Sequence, residues 1–323
     1  LCLEGSKTNG NDHFTITIMD CNFTGCKSNM EGGAISSGYI DEEGNRLGYN
    51  VIQLYMCYFT RCESGKGGAV YFQDSDKEKD EETTITSCHF INCFATNGEG
   101  YSISCRSYKL EIVACTFEGH KRESDLITDS ILFIHMNEPK ITPLLKENIF
   151  TDNILVSSMI IKALYSVSLD KFKFYGYYDT YHMPIVNVDN WEINGTVTFN
   201  ECQFYNNRET KCISMTRDAC RFMVRKCNFT NNSLSENRYS NACGTCIFVP
   251  IDDENNKYEA EVIECSFTNI KAAGNGGAIY GSTQAIYINK CNFTNCHAYS
   301  EMNAEFGGAV CLYASNSKNN ERE

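Results

Sequence analysis

The sequence predicts an all-β fold, a single-stranded right-handed parallel β-helix of about ten coils, from three observations. A Cys-x-Phe triplet recurs along the chain at a mean spacing of 30 residues, apolar residues alternate with period two on its N-terminal side, and glycine-led segments such as GGAI and GGAV follow it. Self-similarity at such a period marks a stack of small units that bury their apolar faces only against one another.

The first strand of each unit reads apolar-x-apolar. Five residues before the Phe stand Ile18, Leu54, Ile85, Ile112, Leu145, Leu169, Phe199, Val224, Val262 and Ile288. Alternation of this kind is a strand with one buried face. A two-residue bend leads to the second strand, Cys-x-Phe, whose ladder is Phe23, Phe59, Phe90, Phe117, Phe150, Phe174, Phe204, Phe229, Phe267 and Phe293. Two residues before the Phe stand Cys21, Cys57, Cys88, Cys115, Cys202, Cys227, Cys265 and Cys291, with Asn148 and Phe172 in the remaining two units. The residue between is polar in eight of ten units, as expected for an outward position. The third strand is led by glycine at 32–35, 67–70, 100–103, 276–279 and 307–310, and by SSMI and MPIV in the middle of the chain. Glycine there allows positive φ and close backbone approach.

The stack is expected to occupy residues 1–315, with a polar tail at 316–323. Leu1-Cys2-Leu3 aligns with Val310-Cys311-Leu312, so the chain starts and nearly ends at one phase of the repeat and reads as a segment of a longer solenoid. Stacking at about 4.8 Å per coil makes a rod on the order of 50 Å long. The acidic stretches at 36–50, 73–82 and 251–258 are expected as solvated loops.

Composition excludes several classes. A net charge of −13 and the lack of a basic run with interleaved aromatics argue against a nucleic-acid partner, which needs a cationic footprint. The most apolar window, 154–169, carries Lys162 and four serines and is too short and polar for a membrane span.

The pairing of GGA[IV] at 32–35, 67–70, 276–279 and 307–310 with Phe-x-x-Asn at Phe150/Asn153, Phe204/Asn207 and Phe229/Asn232 resembles the repeats of the polymorphic outer-membrane protein family and of similar large surface proteins of protists. The resemblance covers essentially the whole chain. It implies a β-helical, non-enzymatic protein exported to the cell surface, with roles in adhesion and antigenic display. The chain departs from that family in its cysteine enrichment and in carrying no C-terminal translocator barrel.

Nineteen cysteines leave two readings of the ladder open. They are small apolar side chains filling one inward slot, or they form inter-coil disulfides, Cys21–Cys57, Cys88–Cys115, Cys202–Cys227 and Cys265–Cys291, because stacked Cα atoms lie within disulfide range. Cys26, Cys62, Cys93 and Cys296 form a second column three residues after the Phe. Cys243-Gly-Thr-Cys246 has CxxC spacing, but no second pair or His lies at finger spacing, so no metal or other cofactor is expected. A polysaccharide-active enzyme, the rival on this fold, would need clustered carboxylates on outward strand positions. The nearest candidate, Glu118-Gly119-His120, reads as a surface turn, and no catalytic residue is expected.

An aromatic cluster, Tyr175, Tyr177, Tyr178, Tyr181 and His182, with Trp191 nearby, reads as a binding patch for protein or glycan, or as local packing of a long loop. Sequons at Asn22, Asn194, Asn228, Asn231 and Asn292 mark N-glycosylation candidates, three of them in the outward slot. The expectation is a secreted or cell-surface adhesive rod, with end-to-end packing of coils as a further contact. An intracellular component of a larger assembly and a glycan-cleaving enzyme are the alternatives.

Overall fold

The computed structural model describes all residues except 1, 4–13, 38, 41–45, 48–49, 74–81, 98, 108, 122–129, 137–141, 155, 163–165, 180–183, 189–194, 216–220, 236–242, 250–258, 282–284, 300–306 and 313–323. Its contacts divide the chain into two compact units, Leu1–Lys173 with Asn190–Glu192, and Phe174–Asp189 with Ile193–Glu323. Each is a parallel β-helix. Among the described residues there is no helix, hence none long and apolar enough to cross a membrane.

The three strands of a coil enter three parallel sheets in the register the repeat predicts. In the first unit Ile18 pairs with Leu54, Leu54 with Ile85, Ile85 with Ile112, and Ile112 with Leu145. Phe23, Phe59, Phe90, Phe117 and Phe150 pair in the same order. In the second unit Phe204, Phe229, Phe267 and Phe293 pair successively. The rings stack face to face at centroid distances of 4.7–5.1 Å along both runs. Each interior ring is wholly buried, contributing about 1.5–3 kcal/mol.

The third-strand sheet departs from expectation in two places. Ser130–Met136 and Ile213–Ser214 belong to it without a glycine lead, while Ile247–Val249, in the third-strand slot expected for the Cys243–Cys246 segment, is led by Gly244 in the same left-handed conformation as Gly67. In the SSMI segment Met159, rather than Ile160, pairs with Leu132. This sheet is also buried on both faces in the first unit, with Val70, Tyr71 and Phe72 at most 3% exposed. Continuous apolar runs such as SILFIHM follow from that two-sided burial. Within the 36–50 connection, Tyr39–Ile40 and Arg46–Leu47 form a small antiparallel pair.

The bend between the first and second strands is a single residue in left-handed conformation. It occurs three residues before every Phe of the ladder, at Asp20, Met56, Ser87, Ala114, Glu147, Lys171, Glu201, Lys226, Glu264 and Lys290. A second such residue follows two after every Phe, at Gly25, Arg61, Asn92, Gly119, Asp152, Gly176, Asn206, Asn231, Asn269 and Asn295. Non-glycine residues adopt this conformation at a cost of about 1 kcal/mol, so the surrounding ladders must hold them there.

The third corner uses glycine for two separate reasons. Gly67 has φ +58°, and a Cβ on it would lie 2.2 Å from the Val70 carbonyl oxygen. Gly68 has ordinary φ, but its Cβ would lie 2.2 Å from the carbonyl oxygen of Tyr101 on the next coil. The GGA[IV] motif therefore encodes one left-handed turn and one backbone-to-backbone approach.

Candidate functional site: polar ladders inside and outside the coils

Both left-handed corners turn two backbone groups toward the interior: the carbonyl two residues before the corner residue and the N–H directly after it. These groups need partners, and the next coil supplies them. At the first corner the ladder thiol shares its one S–H between two carbonyls, that of the preceding coil, as in Cys57 to Ile18 (3.5 Å), Cys115 to Ile85 (3.5 Å), Cys227 to Phe199 (3.5 Å), Cys265 to Val224 (3.5 Å) and Cys291 to Val262 (3.4 Å), and the one two residues earlier in its own coil, at 3.2–3.4 Å. The thiols of Cys88 and Cys227 accept from the N–H of Cys57 and Cys202. Asn148 performs both tasks in its coil: its Nδ2 donates to the Ile112 carbonyl at 2.8 Å and its Oδ1 accepts the Cys115 N–H at 2.9 Å. The Cys column is thus largely a donor column, which explains why Asn replaces Cys at 148; Phe172, the other replacement, brings no donor and stacks on Phe150 instead.

The second corner repeats the device. Cys62, Cys93 and Cys296 donate to the carbonyls of Phe23, Phe59 and Phe267. Asn153, Asn207 and Asn232 donate to those of Phe117, Phe174 and Phe204. Their Oδ1 atoms accept the N–H groups of His120, Tyr177 and Asn207. The Phe-x-x-Asn and Phe-x-x-Cys versions of the repeat are chemically one motif, with the amide the stronger and the thiol the weaker donor.

Seventeen of the cysteines, from Cys21 to Cys311, are free thiols. Burial pushes the Cys57 thiol up to about 11 and holds Cys93, Cys115, Cys227 and Cys246 well above the ordinary thiol value. Cys62 runs the other way, to about 7, because Cys93 hydrogen-bonds to it. Cys62 is nonetheless wholly buried, and a thiol without access is no nucleophile for an external substrate.

His120 is not on a surface turn. It occupies the inward slot three after Phe117 and is wholly buried, because Gly119 is the left-handed corner that turns the chain inward. Its Nε2 lies 2.6 Å from Ser102 Oγ and its Nδ1 3.0 Å from Asn153 Oδ1. Asn153 Oδ1 can only accept, so Nδ1 carries the proton and the Ser102 hydroxyl donates to Nε2. Ser, His and Asn stand here in the order of a nucleophile, base and orienting group, yet all three are 0% exposed. Burial lowers the His120 pKa to about 4. The trio ties together three corner segments, beside the strands Ile103–Ser107, Thr116–Glu118 and Ile149–Thr151, and is sealed from any substrate.

The aromatic cluster divides according to strand alternation. Tyr177 is buried in the inward column, Tyr175 stacks on Tyr205 at 4.8 Å, and Tyr178 is 45% exposed. Tyr181, His182 and Trp191 lie outside the described residues, as does Asn194. Asn22, Asn228 and Asn292 are exposed in the outward slot, whereas Asn231 is held by neighbouring amides. In the CxxC segment Cys243 and Cys246 are both buried. Among the described residues no three His, Cys, Asp or Glu side chains converge as metal ligands. Lys211, nearly buried, places its Nζ 3.6 Å from the centre of the Phe248 ring, and burial lowers its pKa to about 8.

The second unit carries three columns on its outer surface. One is an amide ladder at the second corner, in which Asn231 donates to Asn206 (3.1 Å), Asn269 to Asn231 (3.0 Å) and Asn295 to Asn269 (3.1 Å). Beside it runs Tyr205, Thr230, Thr268 and Thr294, paired in register. On its other side, two residues beyond each Asn, come Arg208, Ser233, Lys271 and His297, with Tyr178, two beyond Gly176, ahead of them, again paired coil to coil. A cleft of about 570 Å3 is lined by Arg208, Lys271, His297 and four asparagines with Ser233. That volume falls within the about 300–1,000 Å3 usual for ligand sites. The sequence hid this cleft because its cations lie far apart along the chain and come together only in coil register. No family model, curated protein or solved structure matches the chain.

Proposed function

We propose that the protein is a non-enzymatic adhesive scaffold of a cell-surface or secreted protein, whose stacked coils present repeated polar columns to a partner. The observation that carries this reading is the outer surface of the second unit, where amide, hydroxyl and cationic side chains recur in register beside an open cleft. The cleft lining holds no carboxylate, so it lacks the acid and base that glycoside hydrolysis uses. The Ser102–His120–Asn153 trio, the other arrangement with catalytic chemistry, is wholly buried. Incubation of the protein with a panel of polysaccharides, followed by sizing of the products, tests the reading. No depolymerisation is expected, and cleavage of any of them would overturn it.

A second reading, an intracellular component of a larger assembly, draws on the inner columns. Their thiols act as hydrogen-bond donors to corner carbonyls, a role that requires the S–H and is lost on oxidation. Thiol titration of natively sourced, denatured protein separates the two: close to all 19 cysteines react if the protein is intracellular, and few if it is oxidised on export.

A further inference from the structure

We infer that the cleft of the second unit binds an acidic oligosaccharide, a chain of sugars bearing carboxylate or sulfate groups, laid across successive coils. This rests on the adhesive reading above and names its ligand. Charge is the first reason. The protein carries −13 overall, yet Arg208, Lys271 and His297 line one cleft with no acidic residue among its walls. Among the described residues none of the three is held in an ion pair: the surface cations that do pair are elsewhere, such as Lys27 with Glu63, Lys66 with Glu99 and Lys290 with Glu264. The nearest carboxylate in sequence, Glu209, is engaged by the backbone N–H and hydroxyl of Ser235.

Periodicity is the second reason. Coil spacing places ligand-facing groups every about 4.8 Å, with Arg208 and Lys271 two coils apart and His297 one further on. Such a row, with Arg208 and Lys271 about 10 Å apart along the stack, fits an elongated anionic chain better than a compact anion.

The third reason is the chemistry between the charges. Asn231 and Asn269 each spend one N–H and one lone pair on their ladder neighbours, and each keeps a second N–H and a second lone pair. An edge of alternating donors and acceptors, bordered by the hydroxyls of Thr230, Thr268 and Thr294, suits vicinal sugar hydroxyls. Tyr178, exposed at the Arg208 end of the cationic column, offers a ring face on which a pyranose can stack. An acidic peptide would instead call for pockets lined by apolar side chains, and every residue that lines the cleft is of a polar or basic type. Nucleic acid would call for a far larger cationic footprint.

The test is calorimetry on the full chain with three probes of similar length: an oligogalacturonate, a heparin-derived oligosaccharide and a neutral cello-oligosaccharide. The acidic probes, or one of them, should bind at least about tenfold more tightly than the neutral one, with affinity falling as salt rises. Lys271→Gln and Arg208→Gln should each weaken binding about tenfold, the loss of one charged hydrogen bond. Lys226→Gln, which removes the same charge at a first-corner position outside the cleft lining, should leave it unchanged. Equal binding of the neutral probe, equal effects of K226Q and K271Q, or equally tight binding of polyglutamate would each overturn the acidic-sugar assignment while leaving the scaffold reading intact. Conversely, release of unsaturated uronate fragments would uphold the ligand class and overturn the non-enzymatic reading. Circular dichroism of each variant guards against a folding defect.

Discussion

Replacing Asn148 tests whether the inner column is a set of hydrogen-bond donors or merely of small apolar fillers. Asn148 is wholly buried in the first unit and satisfies the Ile112 carbonyl and the Cys115 N–H on the preceding coil. Asn148→Leu keeps the branched shape at a somewhat larger volume and removes both partners. Each stranded buried group costs about 1–3 kcal/mol, giving about 2–6 kcal/mol in total. Asn148→Cys restores the residue found in eight other coils, and its thiol can reach the Ile112 carbonyl as Cys115 reaches Ile85. Its expected cost is about 1 kcal/mol. Equilibrium urea unfolding reads the difference: at a slope of about 2 kcal/mol/M, the Leu variant should lose about 1–3 M in midpoint, the Cys variant about 0.5 M. If Asn148→Leu is as stable as Asn148→Cys, the column is a filler column and the account of the corners is wrong.

Three further outcomes are expected. His120 is neutral and buried, with its pKa lowered to about 4 against about 6.5 unfolded; the unfolded chain therefore takes up the proton first, and about 3 kcal/mol of stability is lost as pH falls from 6.5 to 4. Urea midpoints across that range should show this slope in the wild type and lack its share in His120→Cys; parallel slopes would refute it. Gly68→Ala drives a Cβ into the Tyr101 and Phe94 carbonyls and should destabilise the first unit by at least about 2 kcal/mol, whereas Gly25→Ala, which meets no atom within 4 Å, should cost about 1 kcal/mol for its positive φ alone. Expression in a glycosylating host should modify Asn22, Asn228 and Asn292 but spare Asn231, whose amide is tied to Asn206 and Asn269; peptide mass mapping that finds a glycan on Asn231 would contradict the ladder.

The coil was legible where a residue type answers to one physical demand. Inward Phe rings and alternating aliphatics report burial directly, so Phe59, Phe90 and Ile85 fall where period-two reading puts them. The first corner was illegible because the ladders on both sides impose its conformation on Met56, Glu147 and Lys226 alike, none of which favours it. At the second corner the signal existed, since nine of its ten residues are Gly, Asn or Asp, but it emerges only once the units are superposed. His120 was misplaced because Glu-Gly-His looks polar in isolation; Cys26, Cys62 and Cys93 in the same slot already marked that position as inward. The third strand was lost at Ser130–Met136 and Ile213–Ser214, where no glycine leads it.

The paired left-handed corners have a consequence for how the chain tolerates change. Successive Phe anchors are separated by anything from 24 to 38 residues, yet the block from the last aliphatic residue before the first corner to the inward residue after the second always has the same length. Within each unit a block sets its phase against the block below through ring stacking and, except where Phe172 and Ile270 fill the inward slots, a donor at each corner, without reference to how much chain came before. A misalignment in one coil therefore has no means of propagating to the next, and sequence added between the third strand and the following coil leaves the internal columns unmoved. Length and phase are independent variables in this protein, and its outer loops are free to vary on a scaffold that does not.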